Sequence, residues 1–215
     1  MNEIVVYGAG GHAKTVMAII EAAGKHKILG LLDDRADKHG SAFYGYPVLG
    51  GRDKLVDLKQ QGADQAIVAI GDNLSRAQIA RLVIGESFNL IQAIHPTAVL
   101  LRGSHVGDGT AILPHAFIGA DAKVGDCAIV SVGSVVSHDV HVGAFAQVCP
   151  QAKLGGGAQV GDYAFIGMGA SVLPNVTVGR HAVVGANAVV TDDLPDGVTA
   201  VGVPARIIRQ RKTKV

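Results

Sequence analysis

His138 and Asp139 are adjacent residues whose side chains can act together in proton transfer. An imidazole near neutral pH can take a proton from a nucleophile and release it later in the reaction. A carboxylate beside the ring can orient it and raise its basicity. The pair therefore predicts a general base, and a solvated surface pair is the alternative interpretation.

A second group of residues is typical of a phosphate-binding loop. The segment Gly8-x-Gly10-x-x-Ala13 follows an apolar run, and Asp33 comes twenty residues after Ala13. This spacing matches a dinucleotide fingerprint, but only about four strands are expected here, too few for a full dinucleotide fold. We therefore expect one diphosphate at a helix start, with a base or ribose near the acidic residues. The alternative is that the glycines only tighten a turn, which explains Gly8 better than Gly10 and Gly11.

The elements around this loop alternate between strand and helix over residues 1–93. We expect strands at Glu3–Tyr7, Ile28–Leu32, Ala66–Ile70 and Leu90–Ala93, and helices at His12–Ala23, Lys54–Gln61 and Ser75–Ile84. This order predicts an α/β, Rossmann-like domain with a small parallel sheet. The carboxyl ends of its strands bring the glycine loop, Asp33–Asp34 and Gly71–Asn73 to one edge, where such sheets bind ligands.

The rest of the chain, residues 94–215, has a different repeat. From Ile94 to Val190 an aliphatic residue returns at every sixth position, and a mostly small residue follows it four places later. This period fits neither a helix nor an ordinary strand and predicts a parallel β-helix of hexapeptide repeats. Three hexads make one triangular coil, so residues eighteen apart stack. Glycines directly after the aliphatic residues, such as Gly119 and Gly155, are expected at corners that need unusual backbone angles.

The hexad register places the proton-transfer pair at a corner of the prism. His138 and Asp139 take the third and fourth places of the hexad that begins at Val136, so both side chains should project outward. One coil later stands Gly156, within the triplet 155–157. Its backbone N–H, with no side chain in the way, can donate to an oxyanion that develops beside the base. A wide corner required by packing explains the glycine triplet equally well.

The composition argues against several classes of protein. Among 215 residues, 48% are hydrophobic and 17% charged, with a net charge of +1, which argues against disorder and against a nucleic-acid surface. No apolar run reaches membrane-spanning length, and the N-terminus lacks the layout of a signal peptide. Cys127 and Cys149 lie outside any CxxC motif and are expected to be free thiols in a reducing cytoplasm.

Six short motifs, spread over nearly the whole chain, are jointly specific: GAGGH, LDD, AIGDN, IHPTA, SHDVHVGAF and VGVPAR. Through them the chain resembles the sialic acid O-acetyltransferase-like family of hexapeptide-repeat acyltransferases. It looks most like the members that N-acetylate a 4-amino-4,6-dideoxy sugar carried on UDP or GDP, in bacterial surface-glycan synthesis. The resemblance implies a left-handed β-helix, a homotrimer, and acetyl-CoA as co-substrate in clefts between subunits.

The resemblance also assigns roles to residues. It places the proton acceptor at His138 and the acid that raises its basicity at Asp139. The sugar-nucleotide contacts map onto Gly10, Gly11, His12, Asp33, Asp34, Gly71 and Phe88, and the acetyl-CoA contacts map onto Gln147, Gly156, Met168 and Ala186. The plain alternatives are a solvated ring for His12 and a core position for Phe88.

The chain departs from the family at two positions. Gln147 stands where close relatives usually have His, and Ser131 stands where they tend to have Asn. Gln147 can donate a hydrogen bond but cannot titrate, and Ser131 has a shorter reach. The acetyltransferase activity can therefore be inferred from the family more securely than the identity of the sugar.

The other histidines suggest a metal, but the ligand set is incomplete. His105 and His141 share one hexad place two coils apart, and Ala146 stands where hexapeptide-coil zinc enzymes have a third ligand. We therefore expect no metal site, and we place His105, His115 and His181 at surface corners. The basic tail is expected to be frayed and solvated, and the alternative is that it contacts the phosphates of coenzyme A. It consists of Arg206, Arg209, Arg211, Lys212 and Lys214.

Two other functions compete with sugar N-acetylation. One is a sugar O-acetyltransferase of the sialic acid type, and the other is a non-catalytic trimeric scaffold that binds a nucleotide. The glycine and aspartate pocket favours a nucleotide-bearing substrate, and the corner position of His138 and Asp139 argues against the scaffold. We expect neither a nucleic-acid nor a membrane partner.

Overall fold

The computed structural model describes residues 2–210, and the chain divides into two compact units between Pro96 and Thr97. The boundary expected from the sequence, between residues 93 and 94, lies slightly earlier. No helix among residues 2–210 is long and apolar enough to cross a membrane.

The first unit is an α/β domain. Its elements in chain order are β1 (Asn2–Tyr7), α1 (Gly11–Ala23), β2 (His26–Leu32), a 3-10 turn (Ala36–Lys38), β3 (Ala42–Phe43), β4 (Tyr46–Gly50), α2 (Lys54–Gln60), β5 (Gln65–Val68), α3 (Asn73–Gly85), β6 (Asn89–Leu90) and β7 (Ala93–Ile94). The main sheet has the strand order β3-β4-β2-β1-β5-β6, and only β3 runs antiparallel to its neighbour. The parallel sheet expected from the sequence is therefore present.

Two strands of this sheet were not expected. β3 and β4 form a hairpin around Tyr44 and Gly45, which both have positive φ, of 51° and 83°. β4 then pairs with β2 in parallel and brings the following loop to the carboxyl edge of the sheet. The expectation of about four strands is wrong because two strands as short as β3, with 2 residues, and β4, with 5 residues, leave no clear pattern in the sequence.

The core of the first unit lies between the sheet and its helices. The central strand β1 contributes Ile4, Val5 and Val6, each with 0% exposure. At the start of α3, the Asp72 carboxylate accepts a hydrogen bond from the Ser75 N–H at 2.8 Å, which caps the helix. At the start of α1, by contrast, the N-cap residue is Gly10, with no capping side chain. The N–H groups of the first turn of α1 are therefore not screened by a side chain of their own.

The second unit is a parallel β-helix built from short strands. In chain order these are β8 (Val99–Leu100), β9 (His105–Val106), β10 (Ala111–Ile112), β11 (Phe117–Ile118), β12 (Lys123–Val124), β13 (Ile129–Val130), β14 (Val135–Val136), β15 (His141–Val142), β16 (Gln147–Val148), β17 (Lys153–Leu154), β18 (Gln159–Val160), β19 (Phe165–Ile166), β20 (Ser171–Val172), β21 (Thr177–Val178), β22 (Val183–Val184), β23 (Val189–Val190), β24 (Val198–Val201) and β25 (Arg206–Gln210). Residues eighteen apart pair in register, as the hexad repeat predicts; Val124, for example, pairs with Val142.

The strands form three walls. The first wall contains β8, β11, β14, β17, β20 and β23, and the second contains β9, β12, β15, β18 and β21. The third wall contains β10, β13, β16, β19, β22, β24 and β25. The recurring aliphatic residues point inward, and Ile118, Val136 and Val184 each have 0% exposure.

Glycines directly after the aliphatic residues serve close packing between coils. A Cβ atom at Gly119 would stand 2.5 Å from the backbone nitrogen of His138, and one at Gly125 would stand 2.7 Å from the backbone nitrogen of Ala144. The left-handed backbone lies two places later in the hexad, for example at Asp121 and Asp139, with φ of 57° and 59°. The expectation of unusual backbone angles at the glycines themselves is therefore wrong.

The edge between the second and third walls carries stacked rings, and we call it the aromatic edge. The rings of Phe145 and Tyr163 stack at 5.2 Å, and those of Tyr163 and His181 stack at 4.6 Å. All three residues have positive φ and lie eighteen residues apart. The coil repeat thus aligns three rings, which contribute roughly 0.5–1.5 kcal/mol per aromatic pair.

The C-terminal strand differs from the frayed tail that was expected. β25 pairs antiparallel with β24, so Arg206 and Arg209 belong to a sheet, and the expectation of a frayed end is wrong for these two residues. Both are exposed, as expected. Arg211, Lys212 and Lys214 lie outside the described residues. Cys127 and Cys149 are buried free thiols, as expected, and burial raises the pKa of Cys149 to about 11.

Candidate active site

His138 and Asp139 lie in the turn between β14 and β15, at the edge between the first and second walls. We call this the His138 edge. The two side chains meet at 2.8 Å between Nδ1 and Oδ2, and both are 66% exposed. The backbone at Asp139 is left-handed, with a φ of 59°. The imidazole is thus held through Nδ1, which leaves Nε2 available for a substrate.

Gly156 lies directly beside this ring, one coil further along. A Cβ atom at residue 156 would stand 2.5 Å from Cε1 and 2.6 Å from Nε2 of His138. Among residues 2–210, the Gly156 N–H donates no hydrogen bond to another group. An exposed nitrogen base and a backbone donor therefore adjoin one small space, as general-base acyl transfer requires.

A different structural feature explains each of the three glycines at positions 155–157. A Cβ atom at Gly155 would stand 2.6 Å from the Pro174 nitrogen, which is a packing requirement. Gly157 has a φ of 71°, which favours glycine. At Gly156, the atoms that a side chain would meet are those of the His138 ring. The packing explanation therefore holds for Gly155, and Gly156 adjoins the candidate site.

The residues assigned to acetyl-CoA do not all lie on the His138 edge. Met168 and Ala186 stack one coil apart on the edge between the third and first walls, which we call the Met168 edge. Met168 is 59% exposed, and Gln147 lies on β16 of the third wall. Ser131, where relatives tend to have Asn, is buried at 4% exposure at the Met168 edge.

The histidines considered for a metal lie apart. His105 and His141 lie on β9 and β15 of the second wall, so the corner position expected for His105 is wrong. His115 and His181 do lie at corners, with positive φ. Within residues 2–210, no three His, Cys, Asp or Glu side chains form a group that could hold a metal ion.

The first unit contains a pocket of about 520 Å³ at the carboxyl ends of β1, β2 and β5. Six of the seven residues assigned to the sugar nucleotide line it; they are Gly10, Gly11, His12, Asp33, Asp34 and Gly71. Phe88 is the exception, with 3% exposure. It precedes β6 and so belongs to the opposite edge of the parallel sheet, and its assignment to this pocket is corrected to a core position.

The glycines of the loop before α1 serve two different purposes. Gly8 has a φ of 118°, and a Cβ atom there would stand 2.8 Å from the Ala69 carbonyl oxygen. At Gly10 and Gly11 a Cβ atom would meet nothing within 4 Å. Gly8 therefore serves the fold, whereas Gly10 and Gly11 leave open space at the uncapped start of α1, where backbone N–H groups favour an anion.

Asp33 and Asp34 are already engaged by other groups of the protein. Asp33 accepts from the Ala9 N–H at 2.9 Å and from Lys38 Nζ at 2.7 Å, and Lys38 Nζ also donates to the Ala9 carbonyl. Asp34 accepts from the Tyr7 hydroxyl at 2.6 Å and from Arg52 Nη2. The Arg52 hydrogen bond is the main cause that lowers the pKa of Asp34. Both carboxylates therefore brace the pocket in addition to lining it.

His12 follows the glycine pair in the first turn of α1. Burial, and then the nearby Arg76 guanidinium, lower its pKa to about 4. Arg76 is 1% exposed and donates to the carbonyls of Ile70 and Gly71 at 3.0 Å. His12 is therefore neutral near pH 7 and can still donate one N–H to a bound phosphate.

Several pocket residues were missed from the sequence. They are Tyr7, Arg35, Lys38, Arg52, Ser75 and Gln78. Arg35 follows directly on the acidic pair, a position at the end of β2 that could have identified it. Lys38 and Arg52 depend on the unexpected turn and hairpin, so no local pattern pointed to them.

A repeating coil with a His–Asp pair at one edge defines an acyltransferase of the hexapeptide-repeat class. Two family models agree with this class. Residues 3–83 match the PglD N-terminal domain, and residues 157–192 match the bacterial transferase hexapeptide of six repeats.

Relatives along nearly the whole chain narrow the class to a family. The chain is 42% identical to PerB from Caulobacter crescentus, solved with CoA and GDP-perosamine, over 97% of this chain and 98% of that one, with a TM-score of 0.92. It is 34% identical to the acetyltransferase domain of PglB from Neisseria gonorrhoeae, over 97% and 100% of the two chains, with a TM-score of 0.89. The chain therefore belongs to the acetyl-CoA-dependent nucleotide-amino-sugar N-acetyltransferases, and its coil is a left-handed β-helix.

A curated relative agrees over a shorter stretch. The UDP-N-acetylbacillosamine N-acetyltransferase of Bacillus subtilis is 34% identical over 117 residues, which are 53% of this chain and 52% of the relative. The match thus spans about half the length of that protein.

Proposed function

We propose that this protein transfers the acetyl group of acetyl-CoA to the amino group of a nucleotide-linked 4-amino-4,6-dideoxy sugar, in bacterial surface-glycan synthesis. The observation that carries the proposal is the contact of the His138 ring with Asp139 on one side and Gly156 on the other. GDP-perosamine and CoA in the relative from Caulobacter crescentus support the choice of substrates. Because acetyl-CoA and nucleotide sugars are cytoplasmic metabolites, we place the reaction in the cytoplasm.

The chemistry follows from the geometry of the His138 edge. His138 Nε2 takes the proton of the attacking amine as the nitrogen bonds to the thioester carbonyl carbon. Asp139, at 2.8 Å from Nδ1, orients the ring and stabilises its positive charge. The Gly156 N–H donates to the oxyanion that develops on the carbonyl. When the C–S bond breaks, the imidazolium returns the proton to the departing thiolate, and the atoms balance as an amide and a free thiol.

The pocket of the first unit supplies the nucleotide site in this proposal. Gly10 and Gly11 admit the diphosphate to the N–H groups of α1, and neutral His12 donates to a phosphate oxygen. Gly71 and the braced pair Asp33 and Asp34 complete the pocket wall. This open, glycine-lined space favours a substrate with a diphosphate over a free sugar.

We further propose that the active unit is a homotrimer in which the His138 edge of one subunit faces the Met168 edge of the next. The first wall lies between these two edges, and four of its six outward side chains are apolar, with Val99 48% exposed. The six are Val99, Phe117, Val135, Lys153, Ser171 and Val189. The second wall is polar by contrast, with His105, Lys123, His141, Gln159 and Thr177 exposed. A neighbour seated on the first wall would bring Met168 and Ala186 to a cleft with His138 and so gather the acetyl-CoA residues.

One assay tests the function directly. Thiol release from acetyl-CoA is measured with UDP- and GDP-linked 4-amino sugars, with free sialic acid and with His138→Ala. We expect turnover with a nucleotide amino sugar, a hydroxylamine-resistant amide product and an oligomer of three chains in sedimentation. A hydroxylamine-labile ester made faster from free sialic acid would establish O-acetylation instead. Turnover that survives in His138→Ala would contradict the general base, and its absence with every acceptor would favour the scaffold.

A further inference from the structure

Arg52 occupies one end of the pocket in the first unit, next to the carboxyl ends of β2 and β4. Its backbone N–H donates to Asp34 Oδ1 at 3.1 Å, and its Nη2 donates to Asp34 Oδ2. The side chain is nevertheless 60% exposed and lines the pocket. Asp34 thus holds the guanidinium through Nη2 at a position that lines the pocket.

We propose that Arg52, held by Asp34, reads the carbonyl edge of the nucleobase and thereby selects uracil or guanine over cytosine or adenine. This inference rests on the proposed function, because it takes a nucleoside diphosphate as the ligand of the pocket. The inference makes Arg52 the residue that determines which nucleotide carries the sugar, and it limits the base to uracil or guanine.

The carboxylates of the pocket are poorly placed to read the base themselves. Asp33 is held by three donors, namely the N–H groups of Ala9 and Arg35 and the ammonium of Lys38, and its side chain is only 13% exposed. Asp34 is held by Tyr7 and Arg52. Hydrogen-bond donors of a base would have to displace these partners. Two guanidinium groups line this end of the pocket, those of Arg35 and Arg52. Arg35 only approaches Asp33, with Nε 3.5 Å from Oδ1, whereas Arg52 makes a hydrogen bond to each Asp34 oxygen and is therefore the better fixed of the two.

The position of Arg52 also fits the course of a nucleotide across the sheet. The diphosphate belongs at the uncapped start of α1, beside Gly10 and Gly11. In doubly wound sheets the nucleoside then extends over the end of the second strand, which here leads to Asp34 and Arg52. The opposite side of the pocket presents the neutral residues Ser75, Gln78 and Ile79, which leaves that side for the sugar.

The chemistry of the guanidinium determines which bases it accepts. Arginine has five N–H donors and no acceptor. Guanine offers the acceptors O6 and N7, and uracil offers O4, whereas adenine and cytosine carry an amino donor at the corresponding positions. A donor that meets a donor loses its hydrogen bond to water without a replacement. Uracil and guanine, which present a carbonyl at this edge, should therefore bind better than their amino counterparts.

The test measures binding of UDP, CDP, GDP, ADP and inorganic pyrophosphate to the full chain by calorimetry. Each oxo base is compared with the amino base of the same ring size. UDP is thus compared with CDP, and GDP with ADP. In whichever pair binds more tightly, we expect the nucleotide with the carbonyl group to bind about tenfold better than the one with the amino group, within the range of one bidentate arginine–base contact. Arg52→Lys keeps the charge, and Arg52→Met removes it; both should reduce the preference to within about threefold. Arg52→Lys should leave pyrophosphate binding unchanged, whereas Arg52→Met should weaken pyrophosphate and all four nucleotides alike.

Arg180→Lys is the matched control. Arg180 is 59% exposed and lies 3.4 Å from Asp162 in the second unit, so it reproduces the exposed Arg–Asp pair outside the pocket. Equal binding of oxo and amino bases by the unaltered protein, or a preference that survives in Arg52→Met, would overturn the inference. A loss of pyrophosphate binding in the charge-conserving Arg52→Lys would also overturn it, because the guanidinium would then be a phosphate contact. These results leave the proposed function standing, whereas a protein that binds none of the nucleotides would contradict both.

Discussion

The ring of His138 lies against the backbone of Gly156, so that a Cβ atom at residue 156 would stand 2.6 Å from Nε2. The other coils tolerate a methyl group at this hexad place, since Ala120, Ala144 and Ala186 occupy it. The glycine is therefore required by the neighbouring ring and by any substrate that approaches the ring. It is not a requirement of the coil.

Gly156→Ala should therefore inactivate the enzyme without unfolding it. The added methyl group displaces the imidazole from its place above the backbone donor, and we expect kcat to fall by about 10²-fold or more, within the range of general-base catalysis. Steady-state thiol release gives kcat, and thermal unfolding checks the fold. Normal turnover in a folded Gly156→Ala protein would show that the ring and this backbone group do not act together.

Asp139→Asn tests the orienting role of the carboxylate. Asparagine tolerates the left-handed backbone of Asp139, and Asn175 and Asn187 hold the same hexad place. We expect kcat to fall on the order of tenfold or more because the imidazolium loses its ionic partner. Asp121→Asn is the matched control, since Asp121 lies one coil earlier with a φ of 57° and follows Ala120. Equal effects of the two substitutions would point to a general loss of surface charge.

Alanine substitutions at two pocket glycines should have different effects, one on the stability of the protein and the other on nucleotide binding. Gly8→Ala places a Cβ atom 2.8 Å from the Ala69 carbonyl oxygen at a φ of 118°, so the free energy of unfolding should fall on the order of 1–3 kcal/mol. Gly10→Ala meets nothing within 4 Å and should cost less than about 1 kcal/mol. It should instead weaken the stabilisation that UDP or GDP gives in thermal unfolding. If Gly10→Ala responds to nucleotide as the unaltered protein does, no ligand approaches α1 closely at this position.

His12 should make the first unit sensitive to acid. Its pKa in the folded protein is about 4, below the ordinary value for histidine, so the unfolded chain takes up the proton first as the pH falls. The free energy of unfolding should therefore fall between about pH 6.5 and pH 4, by on the order of 3 kcal/mol in total. Denaturant unfolding across this range should show a smaller decline for His12→Gln. Parallel curves for the two proteins would contradict the assignment of this acid sensitivity to His12.

The aromatic edge should contribute to the stability of the coil. Tyr163→Asn keeps a residue that tolerates positive φ but removes the stacking with Phe145 and His181. We expect the free energy of unfolding to fall by about 1–3 kcal/mol, from two pairs of roughly 0.5–1.5 kcal/mol each. Gln151→Asn is the control, because Gln151 holds the same hexad place with a φ of 62° on another edge. If both substitutions cost the same, the stacked rings add nothing to the coil.

The hexad repeat made the second unit largely predictable, because each inward residue is fixed by its place in the period. The same arithmetic located Gly156 beside His138 before any coordinates. It did not show why Gly119 is glycine, because that reason is a close approach between coils and not a backbone angle. The acetyl-CoA cleft that we propose lies between subunits, whose arrangement the repeat does not encode.

The first unit was predictable where residues are close in sequence. Gly10, Gly11 and Asp33 were identified because a loop between strand and helix has a local signature. Arg52 was missed because it reaches the pocket through the β3–β4 hairpin, whose strands are too short to produce a clear pattern. Phe88 was misplaced because the family resemblance gave its position in the chain but not the edge of the sheet to which it belongs.

The one-coil register also determines which changes of length this protein can tolerate. Deleting a single residue before β14 would shift every later side chain by one place, so that valines would face water and polar residues would enter the prism. Inserting or removing a complete set of eighteen residues would leave each later side chain on its own wall and only lengthen or shorten the column, by roughly 4.8 Å. Insertions and deletions of residues in the second unit during evolution should therefore comprise whole coils.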